Sequence, residues 1–165
     1  MTIGGMSPID LQNCLIAELT QLFSDQLFQK PKKKETDPDV QTSLTWYPQD
    51  LPMQDGYEWD KYVPYGIVQL KKGKHPEETE PMDVMGIVYL CLYNDGSQNI
   101  GGQEIINAIE KIRQHFFKKH IISGKYSIRF PFEWEMADEE LWPYFMAGVE
   151  THWALPIICA EDPNL

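Results

Sequence analysis

Two glutamates, Glu133 and Glu135, come closest to forming a chemical site in this 165-residue chain. In an extended strand their carboxylates share one face, where such a pair could transfer protons or bind Ca²⁺. His152, on the polar face of a later strand, could approach them. The same pattern is typical of the solvated face of an amphipathic strand. We favour that interpretation, because a metal site here would lack its remaining ligands.

The other histidines and a glycine pair add no motif with a known chemistry. His115 and His120 are five residues apart on a predicted helix, so they do not share a face. The sequence contains no HExxH, GxSxG, P-loop or GxGxxG motif. Gly101-Gly102 is a weak candidate for a phosphate-binding turn and more simply ends a loop before a helix. We therefore predict no enzyme, and neither a cofactor nor a metal site.

Three cysteines, Cys14, Cys91 and Cys159, all lie among apolar residues and show no CxxC spacing. An odd number of cysteines without a metal-binding pattern favours buried, reduced and unpaired thiols.

The aromatic content is the feature that most needs an explanation, with five Trp, eight Tyr and seven Phe residues. Many of them lie at predicted strand ends or in loops beside acidic residues. This composition is common at protein interfaces, although packing at the edge of a core would also produce it. The interface candidates belong to the long acidic aromatic loop 48–64 and to an acidic turn: Tyr57, Trp59, Tyr62, Asp138, Glu139, Glu140 and Trp142. We expect Trp59→Ala to leave the fold intact and to impair assembly.

Two helices are predicted from apolar residues at helical spacing. Ser7 and Pro8 suit the start of the first helix, which should continue to Lys30 because Pro31 cannot extend it. Its apolar stripe comprises Leu11, Leu15, Leu19 and Leu22, widened by Ile16, Phe23 and Leu27. The second helix follows Gly101-Gly102, and its stripe comprises Ile105, Ile109, Ile112 and Phe116.

Five strands are predicted: Thr42 to Tyr47, Tyr65 to Leu70, Val84 to Tyr93, Tyr126 to Met136 and Phe145 to Leu155. The third is apolar on both faces, so it should be central and covered on both sides. The fourth alternates between two sets of side chains, which predicts one solvated face and one buried face, the latter formed by Tyr126, Ile128, Phe130, Phe132, Trp134 and Met136. Pro131 indicates an edge position or a bulge in this strand. The order α-β-β-β-α-β-β predicts an α+β fold, with a mainly antiparallel sheet packed against two amphipathic helices. We expect a single domain, 1–165, with a short C-terminal tail, 160–165.

The net charge of −11 argues against two classes of partner, nucleic acids and anionic membranes. The one basic run, Lys30 to Lys34, contains a proline and precedes acidic residues, so we interpret it as a solvated loop. No segment is long and apolar enough to predict a transmembrane helix.

Four stretches, taken in order, resemble the tail terminator and tail completion proteins of long-tailed bacteriophages and prophages, especially those of Gram-positive hosts. They are the amphipathic N-terminal helix, YVPYGIVQLKKGKH, DVMGIVYLCLYND with IINAIEKIRQHF, and SIRFPFEWEM with WPYFMAGVETHWALPIICAED. Together they cover most of the chain. The last is the most distinctive, since a proline between aromatic residues opens a hairpin whose second strand ends in a tryptophan and a proline.

The resemblance implies a structural virion protein, assembled in the bacterial host cytoplasm, that forms a homohexameric ring. Such a ring caps the head-proximal end of the tail tube, stops tube polymerisation and docks the head–tail connector protein. DNA passes through its lumen without specific binding, and no catalytic residue is implied. A head–tail adaptor, or the cap of a phage-tail-like particle, is the alternative within this class. The alternative from another class is a small hydrolase or ligand-binding domain using Glu133, Glu135 and His152.

Overall fold

The computed structural model describes residues 6–52, 58–139 and 141–160, apart from the side chains of Gln98 and Asn99. Within this part of the chain there are two α-helices, α1 (Pro8–Leu22) and α2 (Gln98–Lys119), and a 3-10 helix, η1 (Trp59–Tyr62). The strands are β1 (Phe28–Gln29), β2 (Gln41–Thr42), β3 (Thr45–Pro48), β4 (Tyr65–Lys74), β5 (Asp83–Tyr93), β6 (Ile121–Ile122), β7 (Tyr126–Met136) and β8 (Tyr144–Ala154).

Six strands form the main sheet, in the order β3-β4-β5-β8-β7-β6, and β1 pairs with β2 in a small separate sheet. Only the β3–β4 pair is parallel. The α+β class and the mainly antiparallel sheet are therefore confirmed. The predicted strand Thr42 to Tyr47 is instead divided between β2 and β3, which belong to different sheets. Neither described helix combines the length and apolar character needed to cross a membrane.

Helix α1 begins as predicted and ends early. The Ser7 side chain accepts a hydrogen bond from the backbone N–H of Asp10 at 3.1 Å, and Leu11, Leu15 and Leu19 are fully buried. The helix stops at Leu22 rather than near Lys30. Beyond it, Phe28 enters the core from β1, with its ring centroid 6.2 Å from that of Phe23. β1 requires an extended backbone, so α1 has to end before it. The spacing of apolar residues within one segment does not reveal this end. Leu27 is consequently exposed.

Helix α2 buries the predicted stripe, namely Ile105, Ile109, Ile112 and Phe116. It begins at Gln98, so Gly101 and Gly102 lie inside the helix rather than in a loop before it. Gly101 allows the helix to approach β8, because a Cβ at this position would overlap the ring of Phe145. Glycine is normally unfavourable inside a helix, and the close packing of α2 against β8 explains its presence at position 101.

Strand β5 is central but is not covered equally on its two faces. One face points into the main core, where Val84, Val88, Leu90 and Leu92 are buried. On the other face Met85, Ile87 and Tyr89 are only half-buried. The prediction of cover on both sides is therefore wrong for much of the strand. Apolar residues on both faces of β5 indicated only that the strand is hydrophobic. Whether each face is covered depends on which other elements pack against it.

Strand β7 contains the bulge that Pro131 predicts. Arg129 pairs with His152 and Glu133 with Glu150, so four steps along β7 correspond to two along β8. The prediction that Phe130 and Trp134 lie on a buried face is wrong, because they are 80% and 47% exposed. Alternation gives the face on which a side chain lies, and it does not specify whether another element covers that face.

Candidate functional site

The less covered face of the sheet forms an open groove of about 680 Å³. Its floor follows from strand register, since side chains paired across neighbouring strands share a face. One row across β4, β5, β8 and β7 runs Gln69, Ile87, Glu150, Glu133. The next row runs Ile67, Tyr89, Gly148, Glu135. The groove therefore has an apolar floor on β4 and β5 and carboxylates on β7 and β8.

Five carboxylates lie around this groove: Asp50, Glu133, Glu135, Asp138 and Glu150. Glu133 and Glu150 are direct cross-strand partners, an arrangement that costs stability when both are ionised. The groove consequently carries an acidic wall that favours cationic partners.

His152 contacts Glu150 rather than Glu133 or Glu135. Its Nε2 lies 3.0 Å from a Glu150 carboxylate oxygen, two residues earlier on the same strand. Glu133 and Glu135 are exposed, as the solvated-strand interpretation predicted. Among residues 6–52, 58–139 and 141–160, no three His, Cys, Asp or Glu side chains are arranged to hold a metal ion.

The described end of the aromatic loop folds over one end of the same sheet face. Trp59 is half-buried and lies edge-on to Tyr144, with ring centroids 5.0 Å apart. Tyr62 packs against Tyr47 at 5.7 Å and donates a hydrogen bond to the carbonyl of Pro52. Buried Val63 completes this cover. Trp59 and Tyr62 thus pack within a second, smaller hydrophobic cluster. Because Trp59 contributes to this packing, Trp59→Ala should cost stability in addition to the expected effect on assembly. Tyr57 lies outside the described residues.

The acidic turn between β7 and β8 is exposed. Asp138 and Glu139 project from the surface, and Trp142 is 47% exposed. Glu140 lies outside the described residues. Of the predicted interface residues that are described, those of the turn remain accessible, whereas Trp59 and Tyr62 are partly used by the fold. Asp138 also lines the groove, so the turn and the groove form one continuous surface.

A third surface was missed by the sequence analysis and lies where α2 ends beside β7. The ring of Phe130 stacks on that of Phe117, with centroids 4.8 Å apart and planes at 21°. Phe132 contacts the same Phe117 ring at 5.8 Å. We call these three residues the aromatic edge surface. Phe130 and Phe132 were assigned to a buried face, and Pro131 between them was the signal that the strand is irregular here.

The outer edge of β7 beside the aromatic edge surface is largely unpaired. β6 pairs only with Tyr126 and Ser127, so in the described chain Arg129 to Met136 has no strand on its outer side. Free edges of this kind accept extended segments from other chains. Lys118 is exposed at this site and forms no ion pair with a described residue. Arg129 lies on the groove face of the sheet, because its cross-strand partner is His152.

The cysteines are all unpaired thiols, as predicted, but they are not all buried. Cys91 is buried, Cys14 is half-buried and Cys159 is exposed, because Cys159 follows the end of β8. Burial raises the pKa of the Cys91 thiol to about 12. A nucleophilic cysteine needs the opposite shift, so Cys91 has the character of a core residue.

Comparison with known proteins adds no relative to this description. No protein-family model matches the chain, and no significant match was found among curated proteins. The geometry of the groove, the turn and the aromatic edge surface therefore carries the functional argument.

Proposed function

We propose that this chain is a structural subunit of a ring that caps the head-proximal end of a bacteriophage tail tube. In this role it stops polymerisation of the tube protein and provides the docking surface for the head–tail connector. The ring is a homohexamer and forms part of the virion. The proposal joins the resemblance of the four sequence stretches to the surfaces that the fold leaves uncovered.

The observation that carries the proposal is an exposed aromatic surface beside a free sheet edge. Phe130 is 80% exposed and lies on the unpaired part of β7. Surface aromatic residues next to an open edge are typical of protein–protein contacts. The acidic groove lies elsewhere, on the opposite face of the sheet. Two different surfaces on one chain suit a head-to-tail contact, which closes into a ring when the rotation permits.

The charge supports a conduit rather than a DNA-binding ring. A net charge of −11 per subunit, with carboxylates gathered around the groove, favours a lumen to which DNA does not adhere. A protein that only surrounds moving DNA needs this property.

Electron microscopy of tails made with and without the gene tests the proposal. Loss of a terminator should give tubes longer than normal and heads without tails, and a plasmid copy should restore normal length. Loss of a head–tail adaptor should instead give tails of normal length that remain unattached. Tails of normal length on intact particles without the gene would refute a role in tail completion.

The groove supports a second candidate, a ligand-binding domain. Its volume of about 680 Å³ falls within the range of small-molecule sites. The acidic wall would favour a cationic ligand. Calorimetric titration with a polyamine, and with Glu133→Gln in parallel, tests this alternative. Heat of binding that disappears in the variant would support it, and no heat would reject it for this ligand class.

A further inference from the structure

The segment that follows β8 is apolar and exposed, and residues 155–160 form no helix or strand. Leu155 is still buried, whereas Ile157 and Ile158 are 53% and 76% exposed. In sequence the acidic Glu161 and Asp162 come directly afterwards. A run of apolar residues in water next to two carboxylates calls for a partner that is both apolar and basic.

The aromatic edge surface has the complementary chemistry. Phe130, which is 80% exposed, and the half-buried Phe117 and Phe132 provide apolar area, and Lys118 provides a cation beside it. The free edge of β7 also offers backbone N–H and C=O groups that an extended segment can pair with. In a chain with 14 basic and 25 acidic residues, an exposed lysine beside an exposed aromatic ring is a specific combination.

The direction of the chain leads the segment away from its own aromatic edge surface. β8 lies between β5 and β7 in the sheet. After β8, the backbone N–H of Leu155 donates to the carbonyl of Met82 at 2.9 Å, on the β5 side. β8 is antiparallel to β7, and its last residue, Ala154, pairs with Ser127 near the start of β7. The segment therefore continues past the start of β7, away from Phe130, which favours a contact with another molecule.

We propose that Pro156 to Ala160 of one copy docks on the aromatic edge surface of a second copy. Ile157 and Ile158 cover the phenylalanine rings, with Lys118 at the margin of the contact. The contact is head-to-tail, because the segment and the surface occupy different places on the chain, and it generates a ring or a filament. This inference deepens the proposed function, since it names the contact that would join the subunits of the ring.

Chemical cross-linking of the full-length chain tests the contact, with the native exposed Cys159 as one anchor. Lys118→Cys supplies the other anchor, and a short bismaleimide joins thiols that lie close together. We expect covalent dimers and larger species, in the purified protein at high concentration or in assembled particles. These species should disappear when Cys159→Ser is added. Absence of Cys159-dependent species from both preparations would overturn the proposal.

Three further variants test whether the cross-link is specific, with circular dichroism as the control for misfolding. Lys33→Cys places an exposed thiol near the other end of the sheet, because its neighbour Lys32 pairs with Asp95 beyond the end of β5. It should give no Cys159-dependent product, and a yield equal to that of Lys118→Cys would refute the contact. Phe130→Ser in the Lys118→Cys background should lower the yield about tenfold, as expected for an aromatic anchor. Phe132→Ser should also lower it. An unchanged yield in both variants, with circular dichroism as for the parent, would place the contact elsewhere.

The cross-linking test of this contact and the gene-deletion test of the proposed function can give different results. Cys159-dependent species together with normal tails in the absence of the gene would retain the contact and reject the terminator role. Overlong tubes in the absence of the gene, without these species, would retain the role and reject the contact.

Discussion

Asp10 shows at the residue scale how one side chain joins distant elements. Its carboxylate accepts hydrogen bonds from Lys125 Nζ at 2.8 Å and from the Tyr126 hydroxyl at 2.6 Å, while its backbone N–H is capped by Ser7. Asp10 therefore both begins α1 and fastens it to the start of β7. The hydrogen bond from Lys125, followed by that from Tyr126, holds the pKa of Asp10 below its ordinary value of 3.8.

Asp10→Asn should lower the melting temperature at neutral pH. A carboxylate whose pKa is depressed in the folded state contributes stability above its unfolded pKa, and this stability is lost as the pH falls through the folded value. The difference between wild type and variant should therefore narrow as the pH is lowered below 3.8. Thermal melts across that range measure it, with Glu78→Gln in an exposed loop as the control. A difference that does not change with pH would contradict this assignment.

The tryptophans of the two candidate interface segments should respond differently to truncation. Trp59 is half-buried against Tyr144, so Trp59→Ala should cost about 1–3 kcal/mol of unfolding free energy. Trp142 is 47% exposed, so Trp142→Ala should change stability by less than about 0.5 kcal/mol. Urea denaturation compares the two. If Trp142→Ala also leaves tail length and infectivity normal, the acidic turn takes no part in assembly.

At the element scale, the position of α2 against the sheet requires one of the two glycines near its start. Gly101 faces the ring of Phe145 on β8, whereas a Cβ at Gly102 would meet nothing within 4 Å. The helix approaches the sheet closely at the first position and is open at the second. Alanine should therefore be unfavourable at Gly101 and favourable at Gly102, although the two glycines are adjacent.

Gly102→Ala should stabilise the protein by about 0.5–1 kcal/mol, because alanine loses less backbone entropy in a helix than glycine. Gly101→Ala gains the same propensity but displaces the Phe145 ring, so its net effect should be destabilising. Equilibrium unfolding of the two variants gives the signs directly. Equal stabilisation by both would show that the contact between α2 and β8 is looser than described.

At the scale of the whole molecule, the net charge is strongly negative, and several of the carboxylates surround the open groove. Its one basic run, Lys30 to Lys34, is partly neutralised, since Lys32 pairs with Asp39 at 2.5 Å and with Asp95 at 2.8 Å. The exposed Lys118 beside the aromatic edge surface does not form the row of cations that a DNA backbone requires. The surface as a whole is therefore suited to protein contacts and repels phosphate.

Purified protein should not retain duplex DNA at physiological salt, because affinity for DNA depends on clustered cations that release counterions. A mobility-shift titration measures this, and changing Lys30, Lys33 and Lys34 to Glu should make no difference. Micromolar binding that weakens steeply with added salt would contradict the proposal of an inert lumen.

The sequence by itself determined those features whose cause is local. Ser7 and Pro8 specified the start of α1, the isoleucines of α2 specified its buried face, and the alternation of β8 separated Val149 and Trp153 from Glu150 and His152. Each depends on residues within one or two turns or a few strand positions, which a single segment contains. Composition alone also gave the acidic character of the surface.

Only the tertiary structure decided what covers each face and where distant segments meet. The end of α1 depends on the pairing of Phe28 with Thr42, and the half burial of Trp59 depends on Tyr144, far along the chain. Phe130 is exposed because a bulge and the lack of a covering element leave it outside the core. Periodicity records which side chains share a face, whereas burial depends on contacts between segments that the pattern of either one does not contain.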